Sequence, residues 1–154
     1  ANLDEYLTGR QRIADYLCRE LAQLPGLAVP AVPADTRPAW YGLPLTYVPD
    51  ELSGLSIERF HQALHAEGLE AIDRPGSTCP LNLLPLFQDP DPMLPGYRHA
   101  NRVAYRPGQF PVAEQVWRHT LKLPVWHREE DLPLVDRYLE GIRKVIDNHE
   151  ELLG

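Results

Sequence analysis

The sequence predicts an α+β fold: a long N-terminal helix, then a small, partly antiparallel sheet with helices mainly on one face. Three observations support this prediction. A helical apolar stripe occupies the first 24 residues, apolar residues then alternate around position 43, and a second amphipathic stripe fills the C-terminal end. At 154 residues the chain has the length of one domain with its own core.

Apolar residues at steps of three and four predict the first helix. The stripe consists of Leu3, Leu7, Ala14, Leu17, Leu21 and Leu24. Pro25 and Gly26 then end the helix, since neither residue favours its continuation. We therefore divide the chain into a long helix of residues 1–24 and a small domain of residues 25–154, which together form a single domain.

Alternation with period two predicts the first strand, whose apolar face carries Tyr41, Leu43, Leu45 and Tyr47. Pro44 cannot donate a hydrogen bond to a neighbouring strand. The strand is therefore predicted to lie at a sheet edge or to contain a bulge. Leu69–Ile72 and Leu121–Trp126 are the other strand candidates.

Capping signals predict the remaining helices. Ser56 is a good N-cap for a second helix, which Gly68 ends. Pro111 suits the first turn of a third helix, predicted to turn inward Val112, Val116 and Trp117. The acidic run Glu129–Asp131 places negative charge where the last helix begins.

Composition excludes several classes of function. The formal net charge of −7 argues against a general nucleic-acid surface, which needs clustered basic residues. The sequence has neither an apolar run of membrane-spanning length nor the pattern of a signal peptide. Cys18 and Cys79 match no metal or disulfide spacing, so a reduced, cytoplasmic setting is expected.

Four phrases occur in the order of a known enzyme family. They are NLDEYLTGRQRIADYLCREL, SIERFHQALHAEG, TCPLNLLPLF, and FPVAE followed by LKLPVW. In wording and order they resemble the C-terminal end of the DegT/DnrJ/EryC1/StrS aminotransferases, which use pyridoxal phosphate (PLP) to make amino sugars and aminocyclitols. The resemblance covers nearly the whole chain.

The resemblance implies the small domain of a fold-type I PLP enzyme, inactive alone, that shapes and closes the substrate site. It implies an upstream large domain that holds PLP and the Schiff-base lysine, a keto-sugar or keto-cyclitol substrate, and a homodimeric parent. No cofactor is expected in this chain, because Lys122 and Lys144 lack a phosphate-cradling context. We also expect the chain to be a piece of a longer protein, with an apolar surface left bare around Leu3 and Leu7.

The loop from Arg74 to Asn82 is the first candidate for substrate contact. Its predicted substrate-binding residues are Arg74, Ser77, Thr78 and Asn82. The resemblance places active-site residues in this loop. Where many members carry histidines, this chain carries Ser77 and Asn82, which hydrogen-bond but do not titrate near neutral pH. An ordered surface loop without a ligand is the alternative, and no catalytic residue is assigned.

Two further groups have a functional and a structural interpretation. His61 and His65 have a helical spacing that can bind zinc, but a solvent-facing pair is favoured because no third ligand is evident. The sequence Trp126-His127-Arg128 either reaches a ligand or closes the core. Besides the aminotransferase interpretation, a free-standing binding module and a small zinc hydrolase remain as hypotheses.

Overall fold

A computed structural model describes residues 2–76, 78–89 and 105–154 of the chain. It confirms the predicted α+β class, with a long first helix and a three-stranded antiparallel sheet. The chain divides into two compact units. We call Ala1–Arg74 with Thr120–Gly154 the sheet unit, and Pro75–His119 the loop unit.

The elements follow one another in the order of the chain. They are α1 (Leu3–Leu21), β1 (Leu27–Ala28), β2 (Leu43–Tyr47), α2 (Ile57–Ala66), α3 (Pro85–Gln88), α4 (Pro111–His119), β3 (Thr120–Leu123) and α5 (Leu132–Asp147). Short 3₁₀ turns are Pro49–Leu52, Leu81–Leu83, Glu129–Asp131 and His149–Leu152. The helices α3 and α4 belong to the loop unit, and the other helices and strands belong to the sheet unit.

Helix α1 packs through the C-terminal part of the predicted stripe. Its buried residues are Gly9, Ile13, Ala14, Leu17 and Leu21. Gly9 is required by close packing, because a Cβ atom there would overlap the backbone carbonyl of His127. At the start of the helix Leu3 is 69% exposed, as predicted, whereas Leu7, which was expected to be bare with it, is half-buried.

The sheet has the order β1-β2-β3, and both pairs are antiparallel. The face of β2 formed by Leu43, Leu45 and Tyr47 is buried, while its alternate residues are exposed. The sheet is therefore covered on one face, as predicted. Tyr41 was expected on the same buried face, but it precedes the strand and is 84% exposed.

Pro44 lies in the central strand, so the prediction of an edge strand was wrong. Its surroundings explain why proline is tolerated. Val48 donates its N–H to the carbonyl oxygen of Gly26. In an antiparallel pair the backbone groups alternate in direction, so the backbone N and C=O groups of the even-numbered residues of β2 point toward β1. The pairing with β1 begins only at Thr46, which pairs with Ala28. The nitrogen of Pro44 therefore points past the end of β1, where no ladder bond is lost.

The prediction of a strand at Leu69–Ile72 was also wrong. This segment is a turn closed by a hydrogen bond of 3.0 Å from Ile72 N–H to Leu69 O. The two apolar residues that suggested a strand are buried side chains of the turn. Only Asp73 pairs with the sheet, through a single bridge to Lys122.

The apolar core lies in the sheet unit. Tyr47 stacks on Phe60 with ring centroids 4.9 Å apart, and its hydroxyl donates to Leu55 O at 2.8 Å. Burial raises the pKa of Tyr47 to about 12. As predicted, α5 follows the acidic run Glu129–Asp131. None of the helices in the described ranges is long and apolar enough to cross a membrane.

The loop unit differs from its prediction at α4. Val112 and Val116 were expected to face inward, but they are 74% and 61% exposed. The buried residue of this helix is Glu114, and Trp117 is half-buried with its indole N–H donated to Pro75 O. The prediction of inward-facing valines was wrong because apolar periodicity indicates the buried face only of a helix that packs on an apolar core. Helix α4 is held instead through the buried carboxylate of Glu114.

Candidate functional site

The loop unit is organised around a buried pair, Asn82 and Glu114. Each side chain is 2% exposed. The amide Nδ2 of Asn82 donates to Glu114 Oε1 at 2.7 Å and to the backbone O of Arg106 at 3.0 Å. Both amide hydrogens therefore have acceptors, which fixes the orientation of the Asn82 side chain.

The carboxylate of Glu114 accepts several further hydrogen bonds. Gly108 N–H lies 2.8 Å from Oε1 and 2.9 Å from Oε2, and Phe110 N–H lies 3.3 Å from Oε1. Arg118, one helical turn later, approaches Oε2 at 3.3 Å. The N–H of Gly108, followed by Asn82, Phe110 and Arg118, holds the pKa of Glu114 below its ordinary value, although burial acts in the opposite direction.

The four predicted substrate residues fall in different places. Arg74 belongs to the sheet unit, where its Nη1 lies 2.6 Å from Glu58 Oε1. Ser77 lies outside the described residues. Thr78 is exposed, whereas Asn82 is buried and bound to Glu114. Within the loop unit, Thr78 is thus accessible to a ligand, and Asn82 is part of the internal framework.

The His61 and His65 rings lie 4.1 Å apart, and both approach the carbonyl oxygen of Ile72. The Nε2–O distances are 3.1 Å for His61 and 2.8 Å for His65. A carbonyl only accepts hydrogen bonds, so each Nε2 donates its proton. Burial lowers the pKa of His61. No group of three potential metal ligands occurs among the residues that the structure describes.

The segment Trp126-His127-Arg128 makes contacts within the sheet unit. Trp126 packs edge-on against Tyr138 at 5.0 Å between ring centroids, and His127 lies 4.2 Å from the Tyr6 ring. Arg128 N–H donates to Asp131 at 3.0 Å. These contacts correspond to the structural interpretation, in which the segment closes the core and caps the following turn.

A groove of about 670 Å³ along α1 was not foreseen. It is lined by Thr8, Gln11, Arg12, Asp15, Tyr16, Arg19, Arg37, Leu132 and Asp136. A hydrogen bond of 2.7 Å to Asp136 raises the pKa of the Tyr16 hydroxyl. Arg12 and Arg19 form exposed ion pairs with Glu129 and Glu20 at 3.7 and 3.6 Å, whereas Arg37 donates to the neutral hydroxyl of Thr8. None of the predicted substrate residues lines this groove.

Comparison with known proteins identifies the family. The sequence model of the DegT/DnrJ/EryC1/StrS aminotransferase family matches residues 1–135. The chain belongs to this family. The resemblance inferred from the four sequence phrases is thereby confirmed. No curated protein matches the sequence.

Two solved structures share the fold of this chain. S. venezuelae DesV, solved with a ketimine intermediate, is 24% identical with a TM-score of 0.63. The match covers 92% of this chain and 33% of DesV. An aminotransferase of the family from Brucella abortus gives the same identity and TM-score, with 94% and 32% covered. The chain therefore spans about a third of the length of these enzymes.

The aminotransferases of the family depend on PLP, which they hold through a lysine. The sequence contains two lysines. Lys122 Nζ lies 3.3 Å from Asp73 Oδ2, and Lys144 Nζ lies 2.7 Å from Glu67 Oε2. A lysine that forms a Schiff base needs a desolvated, poised amine. Lys122 and Lys144, held in exposed ion pairs, do not fit that role.

Sequence reasoning missed Glu114, although a signal was present. The residue lies in the first turns of a helix that follows Gly108, Gln109, Phe110 and Pro111. A carboxylate at such a position can reach back to backbone N–H groups before the helix, as in a capping box. Glu114 lies within the phrase FPVAE, and the resemblance of that phrase to the family carries no information about burial.

Proposed function

We propose that this chain is the small domain of a PLP-dependent aminotransferase that acts on a keto-sugar or keto-cyclitol. The observation that carries the proposal is the family match over residues 1–135 in a chain that spans a third of its structural relatives. The large domain of the parent would supply PLP and the Schiff-base lysine. The two lysines of this chain support that division, since both lie in ion pairs.

The task of the chain in this proposal is to shape and close the substrate site. The sheet unit has a packed apolar core, and Thr78 is exposed within the loop unit. Loops held on a rigid scaffold often carry binding residues. The expected contribution is orientation of the amino acceptor and exclusion of water, without proton transfer by this chain. The parent is expected to be a homodimer that takes the amino group from glutamate or glutamine.

The test starts from the protein made by the native gene. An antiserum against this chain should detect a polypeptide much larger than the 17.5 kDa of the chain itself. That protein, purified with PLP, should transfer an amino group from glutamate or glutamine to at least one member of a panel of keto-sugars and keto-cyclitols. A product of 17.5 kDa without transamination would contradict the proposal and favour the binding module.

A further inference from the structure

The loop unit has a polar centre where a folded unit ordinarily has an apolar one. Among its described residues, Asn82 and Glu114 are the buried ones. A carboxylate removed from water is tolerated only when donors replace its hydration. The neighbours of Glu114 supply such donors from three parts of the chain: Asn82, the turn at Gly108–Phe110, and Arg118.

These bonds join segments that are distant in sequence. Asn82 and Glu114 are 32 positions apart. The backbone oxygen of Asn82 also accepts a hydrogen bond of 2.9 Å from the side chain of Gln88, at the end of α3. The carboxylate is thus linked, through one asparagine, to both the 3₁₀ turn Leu81–Leu83 and α3.

The same segment carries exposed side chains beside the buried ones. Thr78 is exposed, and Leu81 is 60% exposed although it is the immediate neighbour of Asn82. Since Asn82 has both amide hydrogens occupied and is nearly inaccessible, it is suited to hold this segment, and its exposed neighbours are suited to touch a ligand.

We propose that Glu114 is a positioning residue. Its carboxylate accepts hydrogen bonds from Asn82 and from the Gly108–Phe110 turn, and we call this set of bonds the clasp. The clasp holds Thr78 and Leu81 in place to contact the amino acceptor. The proposal deepens the function proposed above and rests on it. It assigns Asn82 to positioning and leaves direct contact to the exposed residues. Glu114 acts through other residues and does not itself touch the reacting atoms.

The variant that tests the clasp is Glu114→Gln in the full chain. Glutamine keeps the shape of glutamate but replaces one acceptor oxygen by an NH₂ donor, which then faces the N–H of Gly108 or the amide of Asn82. We expect amide hydrogen exchange at Gly108 and Phe110 to accelerate about tenfold or more, while exchange in the β2–β3 ladder stays unchanged. The matched control is Glu140→Gln, an exposed glutamate of α5.

A double variant tests the geometry if the single variant unfolds. In Asn82→Asp with Glu114→Gln, the carboxylate and the amide exchange places. The NH₂ group of the new glutamine at position 114 can then donate to the new carboxylate at position 82, and its oxygen can still accept from Gly108 N–H. The carboxylate at position 82 has no N–H, so the carbonyl of Arg106 loses its donor. The expected result is slower exchange at Gly108 than in Glu114→Gln. The clasp would be overturned if the Gly108 amide exchanged at least as fast in the double variant as in Glu114→Gln. It would also be overturned if Glu114→Gln exchanged no faster at Gly108 than the wild type.

The positioning role is tested by kinetics of the native aminotransferase. Because the clasp arranges binding residues, Glu114→Gln should raise KM for the amino acceptor about tenfold and change kcat much less. A fall in kcat alone, or kinetics unchanged despite faster exchange, would overturn this role. Absence of transamination by the wild-type protein would overturn the proposed function and this role with it. Exchange at Gly108 would still report on the clasp, so the two failures are distinguishable.

Discussion

The sheet unit and the loop unit are stabilised in opposite ways. All the buried hydrophobic residues that the structure describes belong to the sheet unit, from Ile13 in α1 to Ile146 in α5. In the described part of the loop unit the buried residues are Asn82 and Glu114. An apolar core depends on close packing, whereas a carboxylate with donors depends on charge and geometry. The two units should therefore respond to different perturbations.

The largest expected effect is the loss of a core aromatic residue. Phe60→Ala removes a fully buried ring that stacks on Tyr47, and should lower the free energy of unfolding by about 3–5 kcal/mol. Phe87→Ala is the matched change in the loop unit, where the ring is 36% exposed, and should cost about 1 kcal/mol or less. Urea denaturation measures both; equal losses would contradict the contrast between the units.

Replacing a glycine by alanine in each unit also tests the contrast, because an added methyl group destabilises only a closely packed position. Gly9→Ala forces a methyl group against the carbonyl of His127 and should destabilise the protein by about 1–3 kcal/mol. Gly76→Ala meets no atom within 4 Å and should change stability by less than about 1 kcal/mol. Thermal unfolding of the two variants checks this prediction. A Gly9 variant as stable as the wild type would mean that α1 can move away from His127.

The loop unit should respond to acid through Glu114. Its pKa is held below the ordinary value of 4.5, so its contribution to stability is present above pH 4.5 and is lost as the pH falls through the lower, folded-state pKa. The Tm of Glu114→Gln should therefore lie below that of the wild type at pH 7, and the difference should shrink in acid. A difference that is independent of pH would show that the charge of Glu114 does not matter.

The smallest expected effect concerns His61 in the sheet unit. Burial lowers its pKa from 6.5, so its neutral form stabilises the fold above pH 6.5, and that contribution is lost as the pH falls toward the folded-state pKa. His61→Gln keeps an N–H donor for Ile72 and should flatten the pH dependence of stability below pH 6.5. The control is His119→Gln, which changes a histidine of the loop unit. Equal slopes in the wild type and His61→Gln would contradict the prediction.

Sequence periodicity predicted the sheet unit well, because its elements bury apolar faces. The C-terminal part of the α1 stripe, the alternation of Leu43, Leu45 and Tyr47 in β2, and the acidic start of α5 correspond to the structure. Periodicity failed at Leu69–Ile72, where apolar side chains are buried from a turn, and at Val112 and Val116 of α4. Neither the turn nor α4 buries a regular apolar face. The spacing of their apolar residues therefore does not indicate which side chains point inward.

The candidate site was predictable only in part. The family phrases indicated the loop that contains Thr78 and Asn82, and the family itself is confirmed. The sequence could not show that Asn82 is buried, because its partner Glu114 is 32 positions away. The substrate role of Arg74, Ser77, Thr78 and Asn82 stays a prediction, and for Asn82 the positioning role proposed above is the alternative to it. The hydrogen bond of 2.7 Å between Asn82 and Glu114 ties this loop to α4.

The most direct test of the charged clasp is an NMR titration of the wild-type chain. The amide proton of Gly108 should shift with pH as Glu114 is protonated, because it donates to both carboxylate oxygens at 2.8 and 2.9 Å. We predict a shared midpoint for the Gly108 amide and the Glu114 carboxyl carbon, below pH 4.5. A Gly108 amide that does not titrate with Glu114, or a midpoint above 4.5, would contradict this account.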